Sequence, residues 1–472
     1  MHSNFGGNQR WRSRRYRPRS EEEVLAILEK HRHEQIRALG SGHSWSAIGV
    51  CSDVTLDLSA FDSVQLVPQA GEPVVRVGAG CRLQRVLDRL HAASGRTLPT
   101  LGAIKRQTIA GAISTGTHGS GRQSLSHFVL AVRLAAYDPA SGAARIFEYR
   151  EGDALRAARC ALGCAGILLS VELATVPKYR VAETVRREAS LDLGRYAEHP
   201  LTQFALVPYA WEYLVFERAP VALRAEPPGE RLKAWLMRVY NTLWVDVAVH
   251  LGVKLGLALD DRVVKAMQRN SPRLLLKNVT RVDDAEHVLT LGHYYFRHEE
   301  MELFVPESAL AGTLQVIRYA TQVFAGEAPE APAELAAALD AHGVHAALLR
   351  SRGLHVHHYP FSIRRLLPED ALISMGSSAS EPLYAISVFT YRGPHRRQGY
   401  YAFCAWLARA LHELCGARLH WGKHFPLGAP EVAQAYPRLD AFKDLCRSVD
   451  PSGVFGNRYT EEVLGLPARA RG

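Results

Sequence analysis

The sequence predicts an α+β fold in more than one domain, and three observations support this. Strand-like and helical patterns alternate over the first 180 residues. A hairpin pattern interrupts them, so the sheet is not purely parallel, and 472 residues are too many for one ordinary core. With 47% hydrophobic and 22% charged residues the chain has ordinary globular values, which excludes disorder, collagen-like repeats and a polytopic membrane protein. A formal charge of +10 favours anionic ligands or surfaces without making the chain a nucleic-acid binder.

The arginine run from Arg10 to Arg19 is broken by Trp11 and Tyr16 and reads as a solvated leader of the first domain, with a nucleic-acid-binding tail as the alternative. It contains no apolar core of a secretory signal. Ser20 and Glu23 form a capping-box pattern, and Val24, Leu25 and Leu28 supply a helical stripe that should end near His33. Ile36 and Ala38 alternate with polar neighbours and mark a strand running into Gly40. Further strands are predicted at Val54 to Leu58 and Val74 to Val77, and a helix at Leu83, Val86, Leu87 and Leu90. Val129 to Tyr137, the turn signal Asp138 to Gly142, and Arg145 to Tyr149 form the hairpin.

Glycine density falls after Pro177, which places a boundary near residue 180. Trp235 to Leu259 is strongly apolar, yet Arg238, Asp246, His250 and Lys254 recur on one helical face, so a membrane-spanning helix is rejected. Two readings stand for 235–259: a core helix of the second domain, or an interfacial helix lying on a membrane or a partner. Ala325 to Pro332 has linker composition, and Leu335 to Leu339 continues as a helix. Seven scattered cysteines without a C-x-x-C pair predict reduced thiols, a cytoplasmic location and no metal centre.

The chemistry-bearing residues gather in three glycine-rich loops. Gly40-Ser41-Gly42-His43-Ser44-Trp45-Ser46 follows a strand; its glycines let backbone N–H groups converge on an anion, and its serines add donors suited to a pyrophosphate. The second cluster runs from Pro99 to Ile104 and from Ile109 to Gly121, with few side chains able to fill a core. Leu162 to Ile167 is the third, ending at the start of a strand over Leu168 to Val176. Neither a Rossmann fingerprint nor a Walker A motif is present. Three such loops within 130 residues point to one extended cofactor.

The motifs G-S-G-H-S-W, L-G-A-I with T-I-A-G-A-I-S-T-G-T-H-G-S-G, and L-G-C-A-G-I-L-L-S-V-E-L resemble the FAD-binding domain of the vanillyl-alcohol-oxidase superfamily. Within it the chain is similar to the aldonolactone oxidases (gulonolactone and arabinono-1,4-lactone oxidases) and the alditol oxidases. Met301 to Pro306, His420-Trp421-Gly422-Lys423 and Asp450 to Asn457 resemble motifs of that group. The resemblance implies an FAD-binding domain over 1–180, a substrate cap domain over 181–425, and a segment over 426–472 returning to the first domain. It implies FAD lined by Ser41, Gly42, Ser44, Gly111, Ser114, Thr115, Gly116, Thr117, Gly119 and Gly166, with His43 at the position that many members bond covalently to the flavin. Gly102 falls beside the flavin carbon that meets oxygen, and its small size favours an oxidase.

Oxidation of a carbinol by flavin asks for a cation or base beside the reacting oxygen. Lys423 is the candidate cation, and Arg364 matches the arginine of the family's E-x-R motif. The glutamate position of that motif holds Ser362, which cannot act as a carboxylate base; His358 is a candidate substitute. The implied activity is oxidation of a sugar lactone or polyol, with electrons passing to oxygen and hydrogen peroxide released. Two alternatives remain: a membrane-associated dehydrogenase of the same fold using a quinone or cytochrome, and a basic anion- or nucleic-acid-binding protein.

Overall fold

The computed structural model describes residues 1–68, 71–223, 228–291 and 297–467. Ser20 caps the first helix, Glu21–Lys30, by accepting from the Glu23 N–H, a contact of the kind that contributes about 1 kcal/mol. Leu83, Val86, Leu87 and Leu90 are all buried on one side of the helix Leu83–Ser94, as their spacing requires. The arginines of the leader are exposed, but their backbone is not loose. Arg14–Tyr16 pairs in parallel with Val54–Leu56, which also pairs with Ile36–Ala38.

The predicted hairpin forms between Val129–Tyr137 and Ala144–Tyr149, paired from Tyr137 with Ala144 to Val132 with Tyr149. It supplies two strands of a five-stranded antiparallel sheet completed by Ile167–Ala174, Val74–Gly78 and Val64–Val67. One core joins residues from Val24 to Leu173 with Trp421, Phe442, Phe455 and Leu464, so the end of the chain packs among its beginning. Buried Arg37 ties these parts together, donating to the carbonyls of Ile48, Leu162 and Phe455, each at 2.6 Å.

Between them lies an eight-stranded antiparallel sheet. Its order is Thr280–Asp284, Arg180–Glu188, Glu212–Val221, Gln203–Val207, Phe361–Leu366, Leu383–Thr390, Glu299–Pro306 and Arg418–Leu419. One face, with Met301, Leu303, Ile363, Ile386 and Val388, packs on the helices Leu310–Phe324 and Gln398–Cys415 in a second core. The opposite face looks toward the glycine loops: Ser120 Oγ, from the second loop, donates to the Thr202 carbonyl at 2.6 Å.

The core-helix reading of 235–259 is overturned. Helix Pro228–Tyr240, the π-helical stretch Asn241–Ala248 and helix Val249–Leu259 form a surface arm with several exposed leucines. Two of its polar residues meet the rest of the protein instead: Arg238 lies 2.8 Å from His287, and His250 lies 2.8 Å from the Tyr391 hydroxyl. Among the described residues no helix is long and apolar enough to cross a membrane, and all seven cysteines are unpaired.

Candidate active site

The three glycine loops converge. Ser41 Oγ, in the first, donates to the Arg106 carbonyl at 2.6 Å, and the Leu162 N–H, in the third, donates to the Ser114 carbonyl at 3.1 Å. The loop His420–Lys423 closes on the first of them: the Trp45 N–H donates to the Gly422 carbonyl at 2.7 Å, and Ser46 Oγ donates to the Trp421 carbonyl at 2.7 Å. A Cβ on Gly422 would stand 3.3 Å from Ser44 Oγ and 3.4 Å from Thr115 Cβ. Gly42 has φ +67°, the left-handed backbone that glycine adopts without strain. His43 sits beside it with its ring 5.2 Å from Phe5. Burial first, then the charges of Arg106, His298 and Arg82, lower its pKa to about 4, so the imidazole is neutral at physiological pH.

Packing within the loop also favours glycine at position 102. A Cβ there would come 2.5 Å from the Thr117 methyl, across the two parts of the second loop. A Cβ on Gly119 would likewise come 2.7 Å from the Leu101 carbonyl, and one on Gly166, just before a sheet strand, 2.6 Å from the Ala135 carbonyl. Gly111 is exposed, Gly116 turns with φ +72°, and Thr115 Oγ1 donates back to the Gly111 carbonyl at 3.1 Å.

On the facing side of the sheet, antiparallel pairing sets the chemistry. Residues directly opposite share a face, and the register pairs Glu302 with Ser387, Ser387 with Ser362, and Arg364 with Ala385. Glu302 is fully buried, and four side chains meet its carboxylate. Lys423 Nζ lies 2.7 Å away, Ser387 Oγ donates at 2.9 Å, His118 Nε2 lies at 3.3 Å, and Arg364 forms an ion pair. Lys423 also pairs with Glu300. Burial alone would raise the Glu302 carboxyl, but the charges of Lys423 and Arg364 outweigh it and hold it well below the ordinary carboxylate range. Burial pushes His118 and His420 the other way, toward the neutral ring.

The structure therefore brings Lys423 and Arg364 onto one carboxylate, with Ser362 on the same face accepting from Gln203 Nε2 at 2.8 Å. It does not bring in His358. That ring is buried with both nitrogens engaged: Nε2 accepts from the Tyr391 N–H at 2.9 Å and Nδ1 donates to the Val356 carbonyl at 3.3 Å. Burial lowers its pKa to about 3, so it is not a substitute base. A carboxylate does stand on the face that Ser362 shares, that of Glu302, two strands away. Glu302 lies within the Met301 to Pro306 motif, where the sequence alone assigns it no role. Its signal is the pair Glu300 and Glu302 at period two, in a strand that is apolar from Leu303 onward.

His118, Glu302 and His420 also place ligand-type atoms within 4.8 Å of one another. Two cations already neutralise that carboxylate, which makes the cluster an ion-pair network. FAD suits the neighbouring loops on the structure's own terms. A neutral histidine stands in the first loop, close-packed glycine backbone surrounds it, and Arg364 Nε, across on the sheet, is a buried donor without an acceptor.

This fold and site define an FAD-dependent oxidoreductase acting on the CH–OH groups of lactones or alcohols. Residues 171–463 match the D-arabinono-1,4-lactone oxidase family and residues 13–139 an FAD-binding domain. The chain belongs to the D-arabinono-1,4-lactone oxidase family. It is 40% identical to a long-chain alcohol oxidase of an uncultured marine euryarchaeote, over 98% of this chain and 96% of that one. It is 27% identical to an L-gulono-1,4-lactone dehydrogenase of Mycobacterium tuberculosis, over 95% of both chains. Among solved structures, cholesterol oxidase from B. sterolicum superposes with a TM-score of 0.73 at 13% identity, covering 99% of this chain and 96% of that one, a likeness of fold.

Proposed function

We propose that the protein oxidises the carbinol of an alcohol bearing an apolar chain to a carbonyl and passes the electrons to oxygen, releasing hydrogen peroxide. The observation that carries this reading is an aromatic row continuing the charged row on the same face. Phe389 stands opposite Glu300, its ring 5.7 Å from His298 and 5.7 Å from Tyr359, and Tyr391 lies 5.1 Å from Tyr359. Such a wall suits methylene groups rather than sugar hydroxyls. The 40%-identical long-chain alcohol oxidase and the oxidases among the other relatives support it.

FAD, when bound, supplies the hydride acceptor. Lys423, held by Glu300 and Glu302, stabilises the developing alkoxide with its positive charge while the Glu300 carboxylate accepts the hydroxyl proton, and Arg364 fixes the oxygen's position. His43 is the proposed site of covalent attachment. Acid precipitation of the parent should leave yellow colour in the pellet, whereas His43→Ala should release all of its flavin; equal retention would remove the assignment.

A second reading, a sugar lactone or other small polyhydroxylated substrate, is favoured by the polar run Ser362, Gln203 and Arg218 beside the charged row. Anaerobic flavin reduction by a series of primary alcohols and of aldonolactones separates the two. Rates rising with chain length are expected, and faster reduction by a lactone than by any alcohol would overturn the first reading. Transfer to a membrane quinone or cytochrome instead of oxygen is favoured by the exposed leucines of the arm. A reduced flavin that reoxidises slowly in air and quickly with a soluble quinone would establish it.

A further inference from the structure

The arm over 228–259 is amphipathic and turned inside out. Leu232, Leu236, Leu243, Leu251, Leu255 and Leu259 are between 52% and 64% exposed, and Trp235 is 53% exposed beside them. The opposite side meets the protein. Arg238 lies against His287, His250 against Tyr391, and a Cβ on Gly256 would lie 3.2 Å from Met267 and Val264 of the neighbouring helix Asp261–Leu274. Leu251, Leu255 and Leu259, at spacings of four, form one row that stays exposed beside that contact. The π-helical turns of Asn241–Ala248 take more residues per turn, and so rotate the chain less per residue than an α-helix. They therefore hold the second row of leucines near the azimuth of Leu232 and Leu236.

Contiguous apolar surface of this kind on a soluble fold marks a contact face. The charge around it selects the occupant. Residues 228–277 carry nine Lys or Arg against four Asp or Glu, and Arg231, Lys254, Arg262, Arg269 and Arg273 are exposed. A leucine stripe with a tryptophan, rimmed by cations and too interrupted to span, is the pattern of a helix lying in the headgroup layer of an anionic bilayer.

We propose that this arm docks the protein on anionic phospholipid membrane, with the leucine stripe in the lipid interface and His250 on the inner side opening toward the active site. From His250 the rings follow in sequence: Tyr391 at 5.0 Å, His298 at 5.6 Å from Tyr391, Phe5 at 5.7 Å from His298, and His43 at 5.2 Å from Phe5. Resting on the apolar-alcohol reading above, this row gives a lipid-dissolved alcohol a route to the flavin loop without crossing water.

The test is flotation of the full-length holoprotein with phosphatidylcholine vesicles, with and without phosphatidylglycerol, beside the variant Leu251→Glu/Leu255→Glu. The parent is expected to float with anionic vesicles and to be released by high salt. The variant should partition about tenfold more weakly with its flavin content unchanged. Its reduction by a short, water-soluble alcohol should match the parent's, while its reduction by a long alcohol dissolved in vesicles falls about tenfold. A parent that stays in solution, a variant that floats equally, or a stripe that proves on light scattering to join two copies of the chain would overturn the proposal. Vesicle binding without flavin reduction by any alcohol would leave the docking intact and remove the substrate reading.

Discussion

The two faces of the eight-stranded sheet are built from the same strands and differ in everything else. Met301, Leu303, Ile363, Ile386 and Val388 are fully buried among aliphatic and aromatic side chains. One residue along each strand, Glu300, Glu302, Ser362, Arg364 and Ser387 meet across the site. A strand's period of two separates them completely, and a slip of one residue would exchange the faces. The difference teaches how this protein accepts buried charge: as a network of partnered groups on the face toward the flavin loops, and on the core face as the Glu299–Arg397 pair at the strand's end.

Breaking the charged face should cost more than breaking the apolar one in activity, and comparably in stability. Glu302→Gln leaves Lys423 and Arg364 beside a neutral group. It should slow flavin reduction about 10²–10³-fold and lower unfolding free energy by about 3–5 kcal/mol, read by stopped flow and denaturant titration. The same variant tests the sign of the pH dependence. A carboxyl whose folded pKa lies below its unfolded value of about 4.3 adds stability above that value and loses it as pH falls toward the folded value. The parent should therefore lose stability below about pH 4 more steeply than Glu302→Gln; identical acid limbs would contradict the ion-pair assignment.

Ile386→Ala, on the other face, should cost about 2–5 kcal/mol of stability while the folded fraction reduces flavin at the parent's rate. A slowed rate in that variant would mean that the two faces are not independent. Ser362→Ala removes one hydrogen bond with Gln203, worth about 1 kcal/mol, and should change flavin reduction by less than about tenfold. A larger loss would make Ser362 a direct substrate contact.

Much of the flavin half was legible because its signals are local. Runs such as Gly40 to Ser46 and Ile109 to Gly121 have no use in a core, and the hairpin over 129–149 carries its turn in sequence. The carboxylate was not legible. Glu302 meets Arg364 only because Glu299–Pro306 pairs with Leu383–Thr390, which pairs with Phe361–Leu366, and such long-range pairing leaves no trace in spacing. His358 misled because strand alternation fixes two sides without saying which one faces the flavin. The arm misled for the same reason: periodicity revealed its apolar stripe, but burial and exposure swapped places.

The measurement that tests the central claim most directly is anaerobic flavin reduction by a chain-length series of primary alcohols, in the parent and in Lys423→Ala at equal flavin content. Reduction in the parent, slowed about 10²–10³-fold in the variant with FAD binding retained, is the expected result. Equal rates in the two proteins would contradict it and remove Lys423, with the face it stands on, from the chemistry.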